Sequence, residues 1–143
     1  MIHQTCTVTS RVNGRTALIT VDGCLDRTAP SAKEVIKEAV QPDTRIAILD
    51  LSHTPLLNSE GLDWLEEVRS QLEPKGVRLR VVAPAGGKVQ RILRLMQYDK
   101  VVLLLHSLAD AFRAGKRRYF RLRRAKKDTG PRGRPGTTIS GQG

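Results

Sequence analysis

Two spacings of apolar residues alternate along the chain. Short aliphatic runs of strand length are separated by stretches in which apolar residues recur every third or fourth position. Cys6 to Ser10 and Thr16 to Val21 read as strands by β-branched content, and Asn13-Gly14 between them fits a type I′ hairpin turn, which needs positive φ at both central residues. Thr28-Ala29-Pro30 then opens a helix, with Thr28 as N-cap and Pro30 in the first turn. Ala32, Val35, Ile36, Ala39 and Val40 form its buried stripe, and Pro42 ends it.

Ile46 to Leu51 is almost continuously apolar, as a strand covered on both faces must be. Leu62, Leu65, Val68 and Leu72 make a second helical stripe that stops near Pro74. Val77 to Val82 alternates and predicts a strand with one more exposed face. Val89, Ile92, Leu93 and Met96 predict a third helix after Gly86-Gly87, and Val101 to Leu105 a last buried strand. Ser107 with Asp110 resembles a capping box for a fourth helix. Strands alternating with helices imply parallel βαβ units with right-handed crossovers, and the hairpin adds an antiparallel edge. The expected fold class is α/β: a mixed, mostly parallel sheet of about five strands with about four helices.

Charge changes this picture at one end only. Residues 1–112 carry 14 Lys/Arg against 13 Asp/Glu, whereas residues 113–143 carry 11 Lys/Arg against Asp128 alone. The net charge of +11 therefore belongs to a tail and not to the domain. The expected organisation is a domain over residues 1–113 and a basic tail over 114–143. Residues 128–143, with Ile139 as their one aliphatic side chain, are expected to be disordered. Leu108, Phe112, Gly115, Tyr119 and Leu122 share a helical face, which predicts a basic amphipathic continuation of the fourth helix. Lys116, Arg117, Arg118, Arg121, Arg123, Arg124, Lys126 and Lys127 are its candidate contacts to polyanions, either anionic lipid or nucleic acid.

Candidate chemistry is sparse. No apolar run approaches the roughly 18 residues of a membrane span. The opening MIHQTC lacks a basic n-region and an apolar h-region, so a secretory signal is not expected and a cytoplasmic location is. Cys6 and Cys24 do not have metal-ligand spacing, and His3, His53 and His106 stand apart. Ala85-Gly86-Gly87-Lys88 lacks the first glycine of a P-loop, and Val89 stands where a magnesium-binding hydroxyl is needed. No catalytic constellation, metal site or cofactor is expected.

The segments Val21-Asp-Gly23-Cys-Leu-Asp26, Thr28-Ala-Pro30, Leu49-Asp-Leu-Ser52 and Asn58-Ser-Glu-Gly61-Leu62 occur in that order. Together they resemble the STAS domains, the fold of anti-sigma factor antagonists. Ile92 to Lys100 and Ser107-Leu-Ala-Asp-Ala111 resemble the segments that close such domains. The resemblance covers residues 5 to about 113 and implies a non-enzymatic binding module. It implies that the Asn58–Gly61 loop meets an anti-sigma factor or related kinase-like protein, and that a hydroxyl in this loop is the phosphorylation switch. Asp22, Asp26, Asn58, Ser59, Glu60, Gly61, Asp63 and Trp64 are the partner-binding candidates it implies. Related family members dock instead on transporter ATPases, including those moving phospholipid, which makes a membrane-associated transporter subunit the alternative reading. Polyanion binding through the tail is a further one.

The loop departs from the family pattern at two positions. Asn58 replaces the usual acidic residue, and Glu60 occupies the hydroxyl position directly before the glycine. Glu60 cannot accept a phosphate; it is either a carboxylate that simply favours the first turn of a helix or a fixed negative charge standing where the phosphate would be. Ser59 remains the candidate acceptor. A helix start directs backbone N–H groups and the positive end of the dipole at both side chains. Gly61 is expected to keep the surface beside them flat.

Overall fold

The computed structural model of the protein describes residues 6–113. The elements run β1 (Thr7–Asn13), β2 (Thr16–Asp22), α1 (Ala32–Ala39), β3 (Ile46–His53), α2 (Ser59–Leu72), β4 (Arg78–Val82), α3 (Lys88–Leu95) and β5 (Leu103–Leu105). Short 3-10 turns follow α2 and α3, at Glu73–Lys75 and Tyr98–Lys100. Residues 108–113 are helical, and the Ser107 hydroxyl accepts from Asp110 N–H at 3.1 Å, as the capping pattern predicts. Among the described residues no helix is long and apolar enough to cross a membrane. The tail from residue 114, including the eight basic candidates, lies outside the described residues.

The sheet order is β1-β2-β3-β4-β5, with β1–β2 antiparallel and every other pairing parallel. Three right-handed crossovers stepping in one direction put α1, α2 and α3 on a single face. The core is the result: Ala17, Ile19 and Val21 of β2, Leu49 and Leu51 of β3, and Val81 of β4 join Ile36 of α1, Leu65 and Val68 of α2, and Leu93 of α3. Burying each Val, Leu or Ile among them contributes about 1.5–3 kcal/mol. Tyr98, beside this core, donates its hydroxyl to Leu65 O at 3.2 Å, and burial raises its pKa to about 12.

Four expectations are corrected. Helix α1 begins at Ala32 rather than near Pro30, and Thr28 is not its cap. The Thr28 hydroxyl accepts from Cys6 N–H and donates to Asp26 Oδ1 instead, at 3.1 and 2.6 Å. Strand β4 is not half-exposed: Arg80 and Val82 are buried, because the strand is internal and Arg80 sits in register between Ile48 and Leu103. Val101 is 55% exposed and β5 shrinks to three half-buried residues, as suits an edge strand. Met96 is also exposed, because α3 stops at Leu95 and Gln97 turns the chain through a left-handed conformation, φ 58°.

Candidate functional site

The start of α2 is built from both local and distant contacts. Asn58 takes an extended conformation and its side chain accepts from Gly61 N–H at 2.9 Å, so Asn58 is the N-cap. Ser59 is the first helical residue. Its side chain is exposed and its hydroxyl has no hydrogen-bond partner among the described residues. Capping is therefore not what Ser59 does. Glu60 follows in the first turn, exposed, where a carboxylate favours the positive helix end by about 0.3–1 kcal/mol.

The loop leading to α2 is fastened to the segment after β2. Leu25 N–H donates to Leu56 O at 3.0 Å, Asn58 N–H reaches Leu25 O at 3.4 Å, and Leu25 pairs with Leu57 in an isolated parallel bridge. The Thr54 hydroxyl donates to Val21 O at 3.1 Å. Gly61 completes the arrangement. A Cβ there would lie 2.2 Å from Leu25 O and 2.7 Å from the Leu57 side chain. Gly61 is buried and faces inward, so its role is this close approach and not a flat outer surface.

Beside the helix start, an open groove of about 320 Å³ runs between α2 and the segment entering α1. Its walls include Glu60, Asp63 and Trp64 from α2 with Asp26, Arg27 and Lys33 opposite. Trp64 is 8% exposed and donates Nε1–H to Pro30 O at 2.7 Å, bracing the two walls. The hydroxyl and N–H of Thr28 both donate to the Asp26 carboxylate, which holds its pKa below the ordinary carboxylate value. Cys6 joins the same network through its N–H. Burial, then the nearby Asp26, raise its thiol pKa to about 11, so it is a poor nucleophile.

Of the partner-binding candidates, Asp26, Glu60, Asp63 and Trp64 share the groove, and Asn58, Ser59 and Gly61 form the helix start beside it. Asp22 is separate, exposed at the end of β2 opposite Thr7 and His53. Sequence reasoning missed Arg27, Lys33 and Glu67 of the groove wall. The helical spacing of Glu60, Asp63 and Glu67 was the available signal for Glu67; Arg27 and Lys33 join only through the packing of α1 on α2. Among the described residues no group of His, Cys, Asp and Glu could hold a metal ion.

A mixed, mostly parallel sheet packed against three helices, with an exposed, capped helix start at the C-terminal ends of the parallel strands, is an architecture that comparison identifies. The STAS domain profile matches residues 7–111, and the chain belongs to the STAS domain family. The anti-sigma-F factor antagonist RsfB of Mycobacterium tuberculosis is 32% identical over 106 residues, 73% of this chain and 85% of that protein. The crystal structure of an anti-sigma factor antagonist from Mycobacterium paratuberculosis superposes with a TM-score of 0.63 at 23% identity, covering 77% of this chain and 93% of that one. The anti-sigma factor antagonist SpoIIAA in its unphosphorylated form gives 0.54 at 15% identity, covering 78% and 98%. At these identities the two structures speak for the fold, and the fold is the same.

Proposed function

We propose that this chain is an anti-sigma factor antagonist that captures an anti-sigma factor or a related kinase-like protein at the start of α2 and the adjoining groove. Its relatives carry that name. The observation that carries the reading is the placing of Glu60: exposed, in the first turn of α2, on the wall of a groove it shares with Asp26 and Asp63. Any partner seated there must cover that carboxylate. Burying one without a counter-charge costs on the order of several kcal/mol, far more than burying a hydroxyl.

Ser59 is the phospho-acceptor in this reading. Its hydroxyl is exposed and unengaged, and a phosphate of about −1.5 to −2 charge would add to the charge of Glu60 at the same helix start. Glu60 thus weakens capture permanently by a part of what phosphorylation would do, and Ser59 supplies the rest.

The test is affinity purification of the full chain from its native cell, then titration calorimetry with the partner recovered. Glu60→Ser is expected to tighten binding at least tenfold, about 1.4 kcal/mol. Ser59→Ala is expected to leave affinity nearly unchanged and to abolish any phosphopeptide from the loop. Weaker binding by Glu60→Ser would make Glu60 a positive contact and overturn the charge argument. Recovery of a transporter ATPase alone would overturn the partner assignment.

A further inference from the structure

We propose that the outer face of α3 and the turn after it form a docking surface for an anionic phospholipid membrane. Five large apolar side chains are exposed among the described residues, and three of them, Leu95, Met96 and Val101, fall within one short segment. Leu95 is 75% exposed, more than any other of the five. The cause is backbone geometry. The helix ends at Leu95, Gln97 adopts its left-handed conformation, and turn bonds from Lys100 N–H to Gln97 O and from Val101 N–H to Tyr98 O keep the segment compact. Clustered exposure of this kind marks an interaction site, whereas single exposed aliphatics do not.

The charge around the cluster specifies the partner. Lys88, Arg91 and Arg94 are exposed along α3, with Lys88, Arg91 and Leu95 on one stripe, and α3 contains no acidic residue. Lys100 adds a fourth cation beside the apolar cluster, and Asp99 is the one carboxylate of the segment. Exposed cations and exposed aliphatics in one short segment match a lipid interface, where the aliphatics enter the acyl boundary and each Lys or Arg meets headgroup phosphate. A protein partner would need a pocket for side chains that stand this far out, together with matched carboxylates. A fluid anionic interface needs neither. Residues 113–143 hold 11 Lys/Arg against one Asp, a charge of the same sign as that of α3.

The experiment reads insertion at α3 itself, so that attraction of the tail cannot imitate it. Leu95→Trp in the full chain is mixed with vesicles of phosphatidylglycerol and phosphatidylcholine, or of phosphatidylcholine alone, with and without acyl-brominated lipid. The expected result is a blue shift and bromine quenching of the introduced tryptophan on anionic vesicles only; Trp64 is buried and serves as the unchanged background. Arg91→Gln with Arg94→Gln in that variant should raise the lipid concentration at half-maximal quenching by on the order of tenfold. Vesicles that bind the protein without shifting the emission of the introduced tryptophan, or no binding at all, would overturn the proposal and leave an acidic protein as the occupant of this face. Equal insertion into neutral vesicles would overturn it as well.

Discussion

Helices α2 and α3 pack on the same face of one sheet and bury similar aliphatic stripes, yet they start and face outward differently. The first turn of α2 is capped by Asn58, carries Glu60 and is pressed against Leu25 through Gly61. The first turn of α3 follows Gly87, which makes no side-chain cap bond, and carries Lys88. Its side-chain support comes through Gln90, whose Oε1 accepts from Gly86 N–H at 3.2 Å and whose Nε2 lies 2.9 Å from His106 Nδ1. Outward, α2 presents Glu60, Asp63, Glu66 and Glu67 against Arg69, while the exposed charges of α3 are all cations and stand beside the exposed Leu95. One helix start is closed by a side-chain cap and a close backbone approach; the other is held through Gln90 and carries cations. In the two proposals made above, the first would meet a protein surface and the second an anionic membrane.

The comparison is tested most severely at the two glycines. Gly61→Ala drives a Cβ into the Leu25 carbonyl, and urea denaturation should show a loss of ~3 kcal/mol or more. Gly87→Ala meets only Pro84 O at 3.3 Å and should cost no more than about 1 kcal/mol. Similar costs at the two positions would end the distinction between them. Next comes Trp64→Phe, which removes the bond to Pro30 O across the groove; circular dichroism during denaturation should register a loss of about 1–2 kcal/mol. Asn58→Ala should then cost ~1 kcal/mol through the lost cap, an effect for which α3 has no counterpart.

The smallest effect expected is one of pH. Because Thr28 holds the Asp26 carboxyl below its ordinary value of 3.8, the unfolded chain takes up that proton more readily than the folded one. The resulting stability is complete above the ordinary value and is lost as pH falls through the folded-state pKa. Asp26→Asn should remove this contribution at neutral pH, flatten the acid limb of the stability–pH curve, and leave stability below the folded-state pKa nearly untouched. An unchanged acid limb would remove Thr28 from the account of the groove wall.

The succession of strands and helices along the chain and the place of Ser59 at a helix start were legible because they rest on local signals. Covered strands are continuously apolar, the hairpin turn announces itself at Asn13-Gly14, and small polar residues cluster at Asn58–Gly61. What was not legible depends on contacts between residues far apart in the chain. Gly61 looks like any helix-start glycine until Leu25 O is found against it. Arg80 reads as one of two outward arginines in an alternating strand; burial follows from β4 lying between β3 and β5. Met96 continues the apolar spacing of α3, but a left-handed residue at Gln97 breaks the helix before that spacing can act. The groove itself comes from the docking of α1 on α2, and no stretch of sequence contains both of its walls.

The bridge between Leu25 and Leu57 also has a kinetic consequence. It extends the β2–β3 ladder past the ends of the strands, so the loop before α2 is set in place when the sheet forms. A partner then meets a finished shape, and encounter requires no ordering of the loop. If Ser59 is phosphorylated as proposed, the added charge would act mainly on how long a complex survives. The switch would be read as a residence time.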